Sequence, residues 1–413
     1  MGTLTNKRIL LGVTGGIAAY KSADTARRLR DAGAEVRVVM TQGATSFITP
    51  LTLQAVSGHP VYQHLLDTDA EAGMGHIELA RWADAVLVAP ASANFLARLA
   101  QGRADDLLTA VCLAAAGPVA VAPAMNQQMW NNATTQTNLA SLKKNGVNIF
   151  GPAEGLQACG EVGPGRMLEP AELARLTSQL FASGELDGLT VIVTAGPTWE
   201  AIDPVRGLTN RSSGKMGYAV AQAAAEAGAN VILVSGPTAL ADPDRVRTIR
   251  IESAQEMHDA VHAQVRAADI FIGVAAVSDY RPTVTAPEKI KKTETKLTLE
   301  LVRTPDILAS VTALRPAPFT VGFAAETENV ERHARHKLEN KNLDLIAANR
   351  VGADLGFESD ENSLLLIGRD GATELPLQPK TRLARALIHE IAMKYHGRHA
   401  AGAPRDVAHG RAD

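Results

Sequence analysis

The sequence predicts an α/β protein with two doubly wound parallel-sheet, Rossmann-like domains in series. Short apolar strands alternate with alanine-rich helices, and a strand that returns through a helix lies parallel to the strand before it. This strand–turn–helix pattern begins near residue 8 and begins again near residue 189, after a polar stretch over 183–188. The chain has 413 residues, which is enough for two such domains with separate cores.

The first half begins with a βαβ unit. A helical stretch over 17–30 separates the first two strands, and Gly33 follows it in the position of a helix C-cap. A second, alanine-rich stretch over 94–116 is also helical, whereas 151–167 is rich in glycine and indicates a loop. The strands predicted in this half are 8–13, 35–40, 85–88, 119–122 and 148–150.

The second half repeats the pattern and ends in a helix. The helices with the clearest signals are 216–227 and 381–394, the latter with apolar residues at four-residue spacing. The strands predicted here are 189–193, 230–234, 248–251, 270–275, 297–302, 320–323, 343–347 and 363–367. We therefore predict domains over 1–188 and 189–398, followed by a disordered tail over 399–413.

Composition excludes several classes of partner. The formal net charge is −3, so no bulk field attracts nucleic acid or an anionic membrane. No apolar run is long enough to span a bilayer. Two cysteines, Cys112 and Cys159, do not make a disulfide framework and favour a reduced, cytoplasmic setting. Cys112 lies in an apolar helical context and is predicted to be a core residue.

Polar or glycine-rich loops follow four strands of the first half, where ligands of parallel sheets bind. Gly15 and Gly16 open a helix, so backbone N–H groups are free to bind a phosphate, but no GxGxxG motif with a partner acid is present. A mononucleotide such as FMN fits better than a dinucleotide. Further candidate ligand-binding residues at or beyond strand ends are Thr41, Ser92, Asn94 and Asn126.

These motifs together resemble the flavin-containing cysteine decarboxylases, and in particular phosphopantothenoylcysteine decarboxylase, over about residues 6–180. The motifs are Gly15-Gly-Ile-Ala18, His76-Ile-Glu-Leu-Ala80, Pro90-Ala-Ser-Ala-Asn94, Pro123-Ala-Met-Asn126 and Ala158-Cys-Gly-Glu161. The resemblance implies His76 as a base, Asn126 as the residue that holds the substrate carboxylate, and Cys159 as a proton donor. It also implies self-association, with FMN bound at subunit interfaces. The FMN contacts expected are Gly15, Gly16, Ile17, Thr41, Ser92, Asn94 and Met125.

The second half carries a different set of loops. Ser212, Ser213 and Gly214 precede a helix and form a candidate anion site, although the spacing is not that of a Walker A motif. Asp279 ends a strand with a carboxylate that suits a cation or a ribose. Lys337 and Lys341 are four residues apart and therefore share a helix face.

These loops resemble phosphopantothenate–cysteine ligase of the bacterial, CTP-using type, over about residues 189–395. The motifs include Asp203-Pro-Val-Arg206, Asn210 with Ser212-Ser-Gly-Lys-Met-Gly217, Ala275-Ala-Val-Ser-Asp-Tyr280 and Thr304-Pro-Asp-Ile-Leu308. The resemblance implies an acyl-cytidylate intermediate, with Asn210 and Arg206 at the acyl group and Lys289 at the phosphoryl charge. Mg²⁺ is expected with the triphosphate, held by Asp279. The CTP contacts expected are Gly273, Ala275, Asp279, Lys289, Pro305, Asp306, Ile307, Leu308, Phe323, Lys337 and Lys341.

Together the halves resemble the bifunctional enzymes of bacterial coenzyme A biosynthesis, whose small-molecule substrates are 4′-phosphopantothenate, cysteine and CTP. Two other functions are weighed against this one. A nicotinamide-dependent oxidoreductase would also use two Rossmann-like domains, but the missing GxGxxG motif speaks against it. A non-catalytic flavoprotein regulator would lack His76 or Cys159, and both are present.

Overall fold

A six-stranded parallel sheet forms the centre of the first part of the chain. In the computed structural model, which describes residues 4–65, 75–158, 160–291, 297–326, 329–350 and 359–400, the strand order is β3-β2-β1-β4-β5-β6. The order reverses between β1 and β4, which opens a crevice at the carboxyl ends of these strands. The strands are β1 (Arg8–Val13), β2 (Glu35–Met40), β3 (Val61–Tyr62), β4 (Ala85–Ala91), β5 (Val119–Pro123) and β6 (Asn148–Ile149).

Helices cover both faces of this sheet, so its central strands are apolar along their length. Every residue of β4 is buried, and in β1 Ile9 and Leu11 pack into one core while Leu10 packs into the other. The alternation follows from the two-residue period of a strand. The helices are α1 (Lys21–Asp31), α2 (Pro50–Ser57), α3 (His76–Trp82), α4 (Ala93–Ala100), α5 (Leu107–Ala114), α6 (Gln127–Asn131), α7 (Ala133–Lys144) and α8 (Pro170–Gln179).

Two local predictions in this part of the chain need correction. The stretch 94–116 is two helices, because Gly102 takes a left-handed conformation after α4 and Asp106 starts α5 with a capping box. The glycine-rich stretch 151–167 contains an antiparallel hairpin of β7 (Ala153–Leu156) and β8 (Val162–Arg166). Its short, glycine-containing strands show too little apolar alternation to be recognised.

An eight-stranded sheet forms the centre of the second part, in the order β13-β12-β9-β14-β17-β18-β19-β20. All neighbours up to β18 are parallel, which confirms the predicted fold class of two doubly wound domains. The order reverses between β9 and β14. The strands are β9 (Thr190–Ala195), β12 (Asn230–Ser235), β13 (Val246–Arg250), β14 (Ile270–Gly273), β17 (Phe319–Glu326), β18 (Leu345–Arg350), β19 (Glu361–Gly368) and β20 (Gly371–Pro379).

The last two strands of that sheet are antiparallel, because only two residues separate β19 from β20 and so short a connection cannot return a parallel strand. Two small antiparallel pairs lie outside the sheet: β10 (Trp199–Ala201) with β11 (Gly207–Thr209), and β15 (Tyr280–Pro282) with β16 (Leu301–Arg303). The helices are α9 (Lys215–Glu226), α10 (Ala254–His262), α11 (Ile307–Thr312), α12 (Val330–Asn340) and α13 (Lys380–Ala400).

The described residues divide into two units between Ala182 and Ser183. Leu186 is fully buried in the core of the second unit, and its N–H donates to the carbonyl of Ala227 at 2.8 Å. The predicted domain boundary after residue 188 stays a prediction. Helix α13 continues to residue 400, so the predicted tail is helical at 399–400, and residues 401–413 lie outside the described residues.

Among the described residues, no helix is both long enough and apolar enough to cross a bilayer.

Candidate functional site

A cavity of about 530 Å³ lies at the carboxyl ends of β1, β4 and β5 in the first unit. It brings together Asn126 and the predicted FMN contacts Gly15, Gly16, Ile17, Ser92 and Met125. A second cavity of about 630 Å³ shares Gly15 and Ser92 and adds Thr41 and Asn94. The loops after four strands therefore meet, as the sheet topology requires.

The walls of the first cavity suit a flat aromatic ring system. Ile17 and Tyr20 are 66 % and 64 % exposed, and Met129 and Leu156 are also exposed apolar residues that line the cavity. Exposed apolar side chains grouped around a concave surface indicate a ligand that covers them. Ile17 and Tyr20 begin and end a short 3₁₀ helix directly after the glycine pair.

The polar edge of the cavity offers backbone and hydroxyl donors, and Lys21 and Arg166 also line it. Ser92 caps α4 by accepting from the N–H of Phe95, and the Ser92 N–H donates to Thr14 Oγ1 at 3.0 Å. A Cβ at Gly15 would stand 2.8 Å from the carbonyl oxygen of Gly43, so the two loops approach closely only because residue 15 has no side chain. These features fit the phosphate and ring of FMN.

Asn126 holds its side chain in a defined orientation. Its Oδ1 accepts from the N–H of Gln128 at 2.8 Å and so caps α6. Its Nδ2 donates to the Glu161 carboxylate at 2.7 Å and to Gln157 Oε1 at 3.4 Å. Gln127 Nε2 also donates to Glu161, at 3.3 Å. The amide of Asn126 is thus aimed at a carboxylate, which here belongs to the β7–β8 hairpin.

The other two residues expected in the decarboxylation site lie elsewhere or outside the description. His76 begins α3 and is not among the residues that line either cavity of its own chain. Cys159 lies between β7 and β8 but outside the described residues, so its placement stays a prediction. Cys112 is 7 % exposed in the core, and burial, together with the charge of Asp106, raises the pKa of its thiol to about 12.

The second unit has a cavity of about 470 Å³ at the carboxyl ends of β9, β14 and β17. All the predicted CTP contacts except Lys289 line it. The lining also includes Thr194, Tyr280, Arg303 and Thr304, which sequence reasoning missed. Tyr280 and Thr304 belong to motifs quoted above, whereas Thr194 and Arg303 had only their nearness to strand ends as a signal.

Two carboxylates, one arginine and two lysines give this cavity its charge. Asp306 caps α11 through the N–H of Ala309, and Lys341 Nζ lies 2.8 Å from Asp306 Oδ2. Burial alone would raise the pKa of Asp306, but hydrogen bonds from Lys341 and from Ala309 outweigh it and lower that pKa. Lys337 Nζ donates to the carbonyl of Phe323 at 2.7 Å. Both ammonium groups thus face a space suited to an anionic ligand.

An adjoining cavity of about 330 Å³ contains Asn210 and the Ser212–Gly214 loop. It shares Ala275, Phe323 and Lys337 with the larger cavity, so two ligands bound side by side would meet at these residues. Asn210 Nδ2 donates to the carbonyl of Ala276 at 2.9 Å. The cavity also contains Lys215, from the motif over 212–217, and polar residues that belong to no quoted motif: Asn349, Asn362 and Lys380.

Arg206 and Lys289 are near each other but outside both cavities of the second unit. Arg206 donates from Nε and Nη2 to one oxygen, Oδ2, of the buried Asp203 carboxylate, and from Nη2 to the carbonyl of Ile290 at 2.7 Å. The hydrogen bonds from Arg206, and from the N–H groups of Val205 and Ile290, hold the pKa of Asp203 far below its usual range. The Lys289 side chain is exposed.

No group of three or more His, Cys, Asp or Glu side chains suited to a metal occurs in the described parts of the chain. Asp279 and Asp306 are the carboxylates that line the larger cavity, and so few protein ligands match a cation held mostly by a bound triphosphate. The Mg²⁺ assignment to Asp279 stays a prediction.

Comparisons with known proteins match the two parts of the chain to two different families. Residues 1–182 match the family described as "Flavoprotein", and residues 186–395 match "DNA/pantothenate metabolism flavoprotein C-terminal domain". The chain is 57 % identical over 395 residues to "Coenzyme A biosynthesis bifunctional protein CoaBC" of Vibrio vulnificus strain YJ016, which covers 95 % of this chain and 98 % of that protein. It is 54 % identical to the protein of the same name in Escherichia coli K12, with the same coverage.

Solved structures are also similar to the second half, and one of them is described here. "Crystal structure of the C-terminal Domain of Coenzyme A biosynthesis bifunctional protein CoaBC" is 44 % identical, covers 52 % of this chain and 100 % of that chain, and has a TM-score of 0.45. The assignment of the chain to a family rests on its sequence identity to the full-length relatives and not on this structure. The chain belongs to the family of coenzyme A biosynthesis bifunctional proteins.

Proposed function

We propose that the protein catalyses two consecutive steps of coenzyme A biosynthesis. The first is CTP-dependent ligation of 4′-phosphopantothenate to cysteine, and the second is FMN-dependent decarboxylation of that product to 4′-phosphopantetheine. Membership of the bifunctional family supports this proposal. The observation that carries it is that each unit has a cavity at the carboxyl ends of parallel strands, lined by most of the predicted FMN contacts in one unit and by most of the predicted CTP contacts in the other. Neither the nicotinamide oxidoreductase nor the non-catalytic regulator has support.

In the decarboxylation half, the cavity lined by Gly16, Ser92 and Met125 would hold FMN, and Ile17 and Tyr20 would offer it an apolar surface. Bound FMN supplies the reversible two-electron oxidation that lets the carboxylate leave as CO₂. Asn126 Nδ2 binds the substrate carboxylate at the position that Glu161 takes in the structure. Cys159 is the proposed proton donor for the carbon that loses CO₂.

His76 is the proposed base, and it acts in the cavity of a partner subunit. This follows from its position away from the FMN cavities of its own chain, and it makes self-association a requirement for decarboxylation. Mixed oligomers test the proposal. His76→Asn and Asn126→Asp chains should each be strongly impaired in decarboxylation alone and regain part of the activity when co-expressed. If the mixture stays inactive, each site takes both residues from one chain.

In the ligation half, CTP binds in the 470 Å³ cavity and 4′-phosphopantothenate binds beside it, near Asn210. A carboxylate oxygen of phosphopantothenate attacks the α-phosphorus of CTP, and pyrophosphate leaves. The cysteine amine then attacks the acyl carbon, and CMP leaves. Lys289 is proposed to balance the phosphoryl charge in the first step, and Asn210 with Arg206 to orient the acyl group. Mg²⁺ accompanies the triphosphate.

The phosphate of phosphopantothenate is proposed to bind at the start of α9. Gly214 precedes this helix in a left-handed conformation, and its N–H donates to Ser212 Oγ at 3.3 Å. The N–H groups of the first helical turn follow it and suit an anion. Lys380, which is buried, and Lys215 flank the same cavity with positive charge.

Purified protein tests both halves. We expect a flavin absorbance spectrum, release of FMN on denaturation, and CO₂ from 4′-phospho-N-pantothenoylcysteine. We also expect steady-state pyrophosphate release from CTP that requires phosphopantothenate and cysteine together. A protein that takes up no FMN on reconstitution, or that releases pyrophosphate equally from ATP and CTP, contradicts the corresponding half. The cytoplasmic location stays a prediction.

A further inference from the structure

A buried carboxylate links two distant segments of the second unit. The Asp203 side chain is fully buried, and its Oδ1 accepts from the N–H groups of Val205 and Arg206, both at 2.8 Å. These bonds alone would make a local turn. Its Oδ2, however, also accepts from the N–H of Ile290 at 3.1 Å, 87 residues further along the chain.

The same residue is also held through its carbonyl group. Arg206 Nη2 donates to the carbonyl of Ile290 at 2.7 Å, while its guanidinium also pairs with Asp203. The N–H and the C=O of Ile290 are therefore both bound by one ion pair. Charge-assisted hydrogen bonds of this kind are stronger than neutral ones and fix orientation as well as distance.

Two further bonds connect the preceding residues of each segment. The N–H of Ala286 donates to the carbonyl of Ile202 at 2.9 Å, and Thr285 Oγ1 donates to the carbonyl of Ala201 at 3.2 Å. The segment 285–290 thus lies along 201–206 although it belongs to no helix or strand. Lys289, which precedes Ile290, is exposed and depends on this backbone for its position.

We propose that Asp203 is a positioning residue for the ligation reaction. With Arg206, its carboxylate fixes the backbone of Ile290, and this places the neighbouring Lys289 ammonium for contact with the phosphoryl group of the nucleotide. The proposal rests on the proposed role of Lys289 in cytidylate formation. It gives a function to a buried acid that touches neither nucleotide nor acyl group, since Asp203 lines neither cavity.

A double-mutant cycle on the full-length, FMN-loaded protein tests the proposal. Pyrophosphate release in a single turnover is measured for wild type, Asp203→Asn, Lys289→Gln and the double variant. We expect Asp203→Asn to slow this step by about ten- to a hundredfold, the loss typical of a displaced catalytic group, with the KM for CTP within about twofold of wild type. In the Lys289→Gln background the Asp203 substitution should add no further loss, because its effect passes through Lys289.

A second pair of variants removes the link without changing Asp203. Ile290→Pro deletes the N–H that donates to Asp203, while Ile290→Ala keeps it, so only the proline variant should reproduce the defect. Asp242→Asn breaks an exposed aspartate–arginine pair with Arg250 in the same unit and should leave the rate unchanged. Binding of CTP, measured directly, reports that the second unit of each variant has folded.

The outcomes separate the inference from the proposed function. If wild type releases no pyrophosphate from CTP, or if Lys289→Gln is fully active, the proposed function is wrong at that step. If Lys289→Gln is defective while Asp203→Asn is normal, or if the two losses multiply, Asp203 does not act through Lys289 and the inference is overturned.

Discussion

At the scale of single residues, Asn126 combines a structural and a functional hydrogen bond in one amide. Its oxygen caps α6, and its nitrogen faces the Glu161 carboxylate. Asn126→Asp keeps the cap but turns the donor into an acceptor that repels a carboxylate. Losing a hydrogen bond to a charged group costs about 1.5–3 kcal/mol, so we expect CO₂ release to fall by about ten- to a hundredfold.

Pyrophosphate release by the same variant should be unchanged, because Asn126 belongs to the other unit. Asn132→Asp is the matched control, since Asn132 caps α7 through the N–H of Thr134 but lines neither FMN cavity. Normal CO₂ release by Asn126→Asp would show that another group holds the carboxylate.

Cys112 illustrates how burial decides the chemistry of a thiol. With its pKa raised to about 12, the thiol stays protonated, and thus unreactive, well above neutral pH. In Cys159→Ser protein, which keeps Cys112 as its one cysteine, Ellman's reagent at about pH 8 should react only after denaturation. Rapid reaction of the folded variant would contradict the burial of Cys112.

At the scale of elements, the start of α11 couples a helix cap to an ion pair. The lowered pKa of Asp306 means that its charge stabilises the folded protein above the usual value of 3.8 and that this contribution is lost as pH falls through the lowered pKa. Asp306→Asn keeps a cap but loses the charge. Because the pair is partly exposed, the effect is at most about 1 kcal/mol, or a few degrees in Tm.

Thermal unfolding at several pH values checks this sign. The difference in Tm between wild type and Asp306→Asn should be constant from about pH 8 to about pH 5 and should shrink below about pH 4. A difference that grows on acidification would mean that the Asp306 carboxylate destabilises the helix start.

One glycine of the β7–β8 hairpin, Gly165, packs closely against the backbone of Met125 beside the FMN cavity. Gly165 has a φ of +136°, and a Cβ there would stand 2.3 Å from the carbonyl oxygen of Met125, whose N–H donates to Gly165. Gly165→Ala should therefore displace β8 and lower FMN retention and CO₂ release by about tenfold or more. Flavin absorbance after gel filtration measures the retention.

Gly146→Ala provides the control for backbone strain. Gly146 also has a positive φ, of 81°, but no atom lies within 4 Å of the added Cβ. If both variants lose FMN equally, general destabilisation rather than the contact with Met125 explains the effect.

At the scale of the whole molecule, the linker between the two units contributes to the second core. Leu186 is fully buried there, so a fragment of residues 183–400 should be more stable than one of residues 189–400. Removing a buried leucine typically costs about 2–5 kcal/mol, which denaturant unfolding of the two fragments would resolve. Equal stability would instead support independent folding from residue 189.

Local sequence patterns predicted most of the elements and the fold class. Together with the family resemblance, they also predicted most of the residues that line the cavities. Strand–turn–helix grammar is local, and the carboxyl ends of parallel strands meet at one edge, so Ser92, Asn126 and Phe323 could be placed from the sequence alone. Strand β20 and the β7–β8 hairpin escaped prediction, because neither has the strong apolar alternation of a buried strand.

Tertiary structure alone decided which distant residues share a site. Lys380 reaches the cavity of Asn210 from the start of α13, and Asp203 binds Ile290 across 87 residues. Tertiary structure also decided that His76 does not line the two cavities that contain the predicted FMN contacts of its own chain. Such pairings depend on how sheet order and loop paths bring remote segments together, and a single sequence read locally carries no record of that distance.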